Sequence, residues 1–156
     1  MSSPQSLANT LAQTNFFSGL DEDELLTLAA HARSKHYAQG ESILIQGQPA
    51  EEFYLIMEGR VAVEVPTPDS ALPVQELGPG DILGVSWMVP PYYWRFSAHA
   101  ATDVNAVKFD ARELRIDAGL DRKLHDDLLT RMVNVMAQRL QAARMQMVEL
   151  HRSLRD

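Results

Sequence analysis

The chain has 156 residues, no cysteine, 46% hydrophobic residues and a net charge of −7. That composition suits one globular domain with one core and excludes disulfide scaffolding, thiolate catalysis and cysteine–zinc sites. No apolar run approaches the roughly 18 residues of a membrane span and no charged leader precedes an apolar stretch, so the expected setting is a reducing cytoplasm.

The charge is unevenly placed. Residues 1–120 hold 7 basic against 16 acidic side chains, and residues 121–155 hold 7 against 4. The body should therefore repel nucleic acid. The tail is mildly basic and also apolar, which suits a partner helix better than DNA.

The first predicted unit is a helical cap over residues 1–35. Leu7, Leu11, Phe16 and Phe17 stand at near-helical spacing, and SGLDEDELLTLAAHA follows. Ser18 or Asp21 is placed to cap the second helix, with Asp and Glu in its first turn. The run Asp21-Glu22-Asp23-Glu24 reads as a solvated helix start that complements the helix dipole.

Residues 36–110 follow a different grammar. Short segments with partial two-residue alternation are separated by glycine and proline, with Gly40, Gly47, Gly59, Gly78 and Gly80 at turns and Thr67 to Pro73 as a hairpin loop. Strands at this spacing predict a β-roll or jelly roll. The fold class is mainly β with flanking α, with N-terminal helices and a long C-terminal helix.

That helix is expected over 120–155, after Asp117-Ala118-Gly119 and with Asp121 near its start. Leu129, Val133, Met136, Leu140, Ala143, Met147, Leu150 and Leu154 recur at alternating intervals of four and three, a heptad seam. A second face, Leu124, Leu128, Met132 and Val135, is available to the domain. The seam predicts a homodimer, because an identical helix is the simplest cover for it. A helix folded back on its own domain is the competing arrangement.

The most informative segment is GDILGVSWMVPPYYWRFSAHA, Gly80 to Ala100. It reads as a strand end, a glycine turn, a short helical turn and an arginine leading into a new strand. Bare glycine N–H groups and one planar guanidinium suit a phosphate-sized anion. With FFSGLDEDELLTLA, YAQGESILIQGQPAEEFYLIMEGRVAV and LGPGDILG in the same order, the whole chain resembles the cyclic nucleotide-binding domain, as in catabolite-activator-type regulators, with its phosphate-binding cassette at 80–98. The resemblance implies one domain over 1–156 and positive φ at Gly40, Gly47 and Gly59. It also implies a regulatory sensor rather than an enzyme.

The implied ligand is cyclic AMP or cyclic GMP, with no cofactor required. Gly84, Val85, Ser86, Arg95, Phe96 and Ser97 are the implied contacts, with backbone N–H groups near Gly84 to Ser86 and the Arg95 side chain holding phosphate. Signalling would pass through the C-terminal helix to a protein whose identity the sequence leaves open. Two departures stand out. Where the family has a glutamate for the ribose, Val85 offers no acceptor. Arg95 falls one position late against the next strand, so either Arg95 or Trp94 faces the pocket. The aromatic run Trp87, Tyr92, Tyr93, Trp94 and Phe96, with Pro90 and Pro91, either walls a pocket for a flat ligand or fills the nucleotide's place. The alternatives to a nucleotide sensor are therefore a dimerising interaction module that binds no nucleotide, and a sensor of another flat metabolite.

Other chemistry finds little support. His31, His36, His99, His125 and His151 form no close pair, and only His99 is expected on a strand beside the cassette, so no metal site is expected. GVSWM is not a nucleophile elbow. No helix-turn-helix is expected after the long helix, so direct DNA binding is not expected, and the lack of a long apolar run argues against a membrane partner.

Overall fold

The computed structural model describes residues 3–120 and 122–155, the side chains of 116–120 excepted. Helix α1 (Pro4–Ala12) starts where the Ser3 side chain accepts from the Ser6 N–H and proline occupies the first turn. A 3-10 turn, Asn15–Phe17, leads to α2 (Glu22–Ala30). Asp21, not Ser18, is the α2 cap: its carboxylate accepts from the Glu24 N–H at 2.8 Å, and the Glu24 carboxylate accepts from the Asp21 N–H at 3.2 Å.

Eight strands follow: β1 (Ala32–Tyr37), β2 (Ser42–Leu44), β3 (Glu52–Glu58), β4 (Val61–Pro66), β5 (Ala71–Leu77), β6 (Ile82–Leu83), β7 (Ser97–Ala100) and β8 (Val104–Asp110). They form two four-stranded antiparallel sheets, ordered β1-β8-β3-β6 and β2-β7-β4-β5. Strand β3 is buried on both faces from Phe53 to Ile56, which explains a continuous apolar run rather than alternation. Strands β4, β7 and β8 alternate, and their inward residues (Val61, Val63, Ala98, Ala100, Val104, Ala106) fill the roll. The expected positive φ is found at Gly40, Gly47 and Gly59. At Gly59 the turn also needs the missing side chain, because a Cβ would lie 2.1 Å from the Asp103 carbonyl oxygen.

A stack of rings runs through the centre. Trp87 lies parallel on Phe53 at 4.8 Å and Phe53 on Phe109 at 4.4 Å, while Phe17 meets Phe109 at 5.5 Å. The core thus joins the cassette, both faces of β3–β8 and the N-terminal cap.

The chain leaves the roll through α3 (Ala111–Leu120) and α4 (Arg122–Arg155). The expected break at Asp117-Ala118-Gly119 is instead helical, within α3, and Asp121 lies outside the described residues. At 1.5 Å per residue the 34 residues of α4 span about 50 Å. Its first half packs down: Leu124, Leu128 and Met132 are buried, Val135 half-buried. Lys123 Nζ donates to Glu24 at 2.6 Å and Asp21 at 3.1 Å, and Arg131 donates to the carbonyls of Phe16 at 2.9 Å and Ser18 at 2.6 Å. Glu24 is therefore a buried ion-pair partner, not a solvated one. The seam Leu129, Val133, Met136, Leu140, Ala143, Met147, Leu150 and Leu154 is exposed along its length.

Two boundaries differ from the sequence expectation. Strand β1 begins at Ala32, inside the expected cap. Strand β5 begins at Ala71, so the hairpin turn is Thr67–Ser70, closed by the Thr67 N–H on the Ser70 carbonyl at 2.6 Å. His36 lies on a strand as well as His99, with its ring nitrogen 2.9 Å from Asn105 Oδ1.

Candidate ligand cassette

The cassette hangs from β6. Ile82 and Leu83 pair with Leu55 and Tyr54 of β3. The preceding turn is fixed by Asp81, whose carboxylate accepts from the Gly78 N–H at 2.8 Å. The chain then turns at Gly84, φ +101°, into a 3-10 turn, Ser86–Met88. That turn drives Trp87 into the core against Phe53 and leaves Ser86 buried too.

The returning half is zipped to residues 47–50. The Ala50 N–H donates to the Tyr92 carbonyl at 2.6 Å, the Trp94 N–H to Gln48 at 2.9 Å and the Gly47 N–H to Trp94 at 2.9 Å. Arg115 of α3 pins both halves. Its guanidinium donates to the carbonyls of Trp87 at 2.6 Å and Ala50 at 3.3 Å, and it lies 4.3 Å from the centre of the Tyr92 ring. Tyr92 itself sits at φ +64°.

These constraints decide which neighbour turns inward. Trp94 is 5% exposed. Its six-membered ring lies on Gly84, so close that a Cβ there would stand 2.7 Å from Trp94 Cη2. Arg95 is exposed at a bend and makes no hydrogen bond or ion pair among the described residues. The side chain covering the glycine turn is thus an indole, not a guanidinium. Val85 is half-buried against the core and offers no acceptor. Phe96 is partly buried, with its ring centre 6.3 Å from that of Trp94. Ser97 is engaged through Oγ, which accepts from the Gln46 N–H at 3.0 Å. The cassette aromatics divide: Trp87 and Trp94 fill the interior, while Tyr92 and Tyr93 are exposed.

None of Gly84, Val85, Ser86, Arg95, Phe96 or Ser97 lines the cavity beside this loop or either of two larger ones elsewhere. The nearby cavity has 230 Å³ and is lined by Trp94 with Leu44, Gln48, Glu52 and Tyr54. That is below the roughly 300 Å³ at which small-molecule sites begin. Two of its polar groups are paired: the Tyr54 hydroxyl donates to Glu52 at 2.6 Å, and Lys108 pairs with Glu52 at 3.0 Å. Burial, then this hydrogen bond, pushes the Tyr54 hydroxyl far above the usual tyrosine range, so it stays protonated.

No group of three metal-ligating side chains assembles among the described residues, and no helix among them is long and apolar enough to cross a membrane. His99 meets Glu64 at 3.2 Å on the outer face of β7. Arg115 and Arg139 were not singled out by sequence. Both are basic residues on helices, and no local motif distinguishes them from solvated ones.

The family model for the cyclic nucleotide-binding domain matches residues 34–116. The chain is 25% identical over 141 residues to the CRP-like cAMP-activated global transcriptional regulator of Mycobacterium tuberculosis, covering 90% of this chain and 61% of that one. The chain thus spans under two thirds of that regulator's length. Among solved structures, a putative cyclic nucleotide-binding protein from Geobacter metallireducens superposes with a TM-score of 0.80 at 26% identity, over 90% of this chain and 99% of that chain. The regulatory subunit of a cAMP-independent protein kinase A from Trypanosoma cruzi, bound to guanosine, gives 0.66 at 28% identity, over 86% of this chain and 50% of that chain. The relatives with an assigned role are regulators or regulatory subunits rather than catalysts. With more than half its length matched, including the glycine turns of the roll and the cassette itself, the chain belongs to the cyclic nucleotide-binding domain family.

Proposed function

We propose that this chain is a regulatory module of its family that acts through α4 and whose cassette, as folded, does not receive a cyclic phosphate. The observation that carries this reading is the Trp94 ring seated on Gly84, where the family places its phosphate. Val85 removes the ribose acceptor, and Arg95 stands outside. Of the three sequence readings, this favours the interaction module over the nucleotide receptor. The exposed seam from Leu129 to Leu154 supports a homodimer as the output state, since burying one apolar stripe against its copy satisfies both at once. The module is read as non-catalytic, without a required cofactor, and as acting on another protein rather than on DNA.

A phosphate-free ligand is the second reading. It is favoured by the likeness to a cAMP-independent subunit bound to guanosine, because a nucleoside asks for no arginine at position 94. Calorimetric titration with cyclic AMP, cyclic GMP and guanosine separates the readings. No heat from the two cyclic nucleotides is the expected result. Saturable binding of either would sink the closed-cassette reading, and binding of guanosine alone would select the nucleoside sensor.

A further inference from the structure

Helix α4 turns a polar face toward the roll. Arg131, Asn134, Val135, Gln138, Arg139 and Ala142 follow one another at three- and four-residue spacing on one side of the helix, four polar side chains among six. With the 3-10 turn Asn15–Phe17 and the turn around Asp81 they line an open cleft of 550 Å³, a volume in the roughly 300–1,000 Å³ range of small-molecule sites. A helix that only covers a domain turns apolar residues inward, as α4 does at Leu124, Leu128 and Met132. Beyond Met132 only Val135 and Ala142 continue that apolar side, and Asn134, Gln138 and Arg139 stand beside them at the cavity.

The two arginines differ in what they hold. Arg131 is committed to the carbonyls of Phe16, Ser18 and Asp127. Arg139 donates one N–H, to the carbonyl of Ile82, and has no carboxylate within ion-pairing distance among the described residues. A guanidinium carries five donors, so one bond leaves most of them open to a partner on this half-buried side chain. Burial lowers its pKa, with only a more distant attraction from Asp81 opposing.

We propose that this cavity is a ligand site distinct from the cassette. It takes a small organic anion whose carboxylate or phosphate pairs with Arg139 while its other polar groups meet the side chains of Asn134 and Gln138. Two carboxylates also line the wall. Glu76 is paired with Arg60 at 3.2 Å, and Asp81 accepts from the Gly78 N–H at 2.8 Å. Their charge disfavours polyanions and selects monoanions or zwitterions. The site touches α4 on one side and β6, the strand entering the cassette, on the other. An occupant would bias the helix directly. The inference stands whether or not Trp94 closes the cassette.

The test is calorimetric titration and thermal unfolding of wild type, Arg139→Gln and Asn134→Ala with acetate, glutamate, succinate and inorganic phosphate. Saturable binding of at least one probe is expected, with acetate or glutamate stronger than succinate if a carboxylate is the anchor, and phosphate strongest if a phosphoryl group is. Arg139→Gln should weaken it about tenfold or more, the worth of one hydrogen bond to a charged group. Asn134 is exposed on the helix, so Asn134→Ala should fold normally and weaken binding several-fold. Absence of saturable binding by every probe to wild type would overturn the proposal, as would unchanged affinity in both variants. Should Arg139→Gln fail to fold, unchanged affinity in Asn134→Ala alone is enough to reject it.

Discussion

The Trp94–Gly84 contact makes a demand on stability that can be measured. A methyl group at Gly84 would stand 2.7 Å from Cη2 and 2.9 Å from Cζ3 of Trp94, on a backbone at φ +101°. Left-handed strain costs about 1–3 kcal/mol and overpacking about 1–3 kcal/mol, so Gly84→Ala should lose roughly 2–6 kcal/mol in urea unfolding. Gly59→Ala should lose more, because its obstacle is the Asp103 backbone oxygen rather than a side chain. A Gly84→Ala loss below about 1 kcal/mol would mean the indole is free to leave. The same contact sets up a functional prediction. Val85→Glu with Trp94→Arg restores both side chains the family uses, and this double variant should gain saturable cyclic AMP binding that wild type and Val85→Glu alone lack. Failure of the folded double variant to bind would place the obstacle elsewhere in the cassette. At this scale the sequence was partly legible: Val85 and the late Arg95 could be read as departures. Which of Trp94 and Arg95 faces inward depended on the backbone bonds from Trp94 to Gly47 and Gln48, which join segments almost fifty residues apart.

Between elements, the α2–α4 junction is the place where charge sets geometry. Glu24 is buried beneath Lys123. Burial holds its carboxyl above the usual glutamate range, and the neighbouring Asp127 adds to this while Lys123 opposes it. A raised carboxyl contributes stability at low pH that is lost as pH rises through its folded value. Asp21, lowered chiefly by the Glu24 N–H and then by Lys123, and Asp127, lowered chiefly by its bond with Glu24, act in the opposite sense: their contribution is lost as pH falls. Lys123 is raised chiefly by Glu24, so its contribution persists until pH climbs past the usual lysine range. Lys123→Met removes the partner that lets Glu24 ionise. Its loss of unfolding midpoint relative to wild type should therefore grow from near pH 4 to neutrality. A pH-independent or shrinking deficit would show that Lys123 does not neutralise Glu24. The seam gives a second prediction at this scale. Leu140 is 52% exposed, so Leu140→Asp should leave the fold intact and, if α4 pairs with its copy, move sedimentation from dimer to monomer. A wild type that sediments as a monomer would remove the dimer reading. The seam and the inward triad Leu124, Leu128 and Met132 were legible because both are periodic. Helix α3 was missed because Asp117-Ala118-Gly119 carries turn chemistry that the helix overrides, and Glu24 was misread because burial of a charge depends on a lysine 99 residues further on.

For the molecule as a whole, the question is how the cassette and α4, separated in sequence by β7, β8 and α3, share one fate. Glycine spacing announced the roll, but nothing local announced that Trp87, Phe53, Phe109 and Phe17 would stack, since each lies in a different segment. The stack ends at the turn whose carbonyls, at Phe16 and Ser18, hold Arg131 of α4. Phe53 is its central ring, in parallel contact on both faces. Phe53→Leu keeps an apolar side chain but removes two aromatic contacts, each worth about 0.5–1.5 kcal/mol beyond burial. The loss should spread to both ends because the rings form one continuous core. Hydrogen exchange should show faster opening of the Ser86–Met88 turn and of α4 up to Met132. From Ala143 onward α4 is exposed, and exchange there should be unchanged in a monomeric background such as Leu140→Asp. If Phe53→Leu loosened the cassette while α4 up to Met132 kept its protection, the two would be separate folding units. In that case a signal at the cassette would need another route to the helix, and the bond from Arg139 of α4 to the Ile82 carbonyl is a direct one.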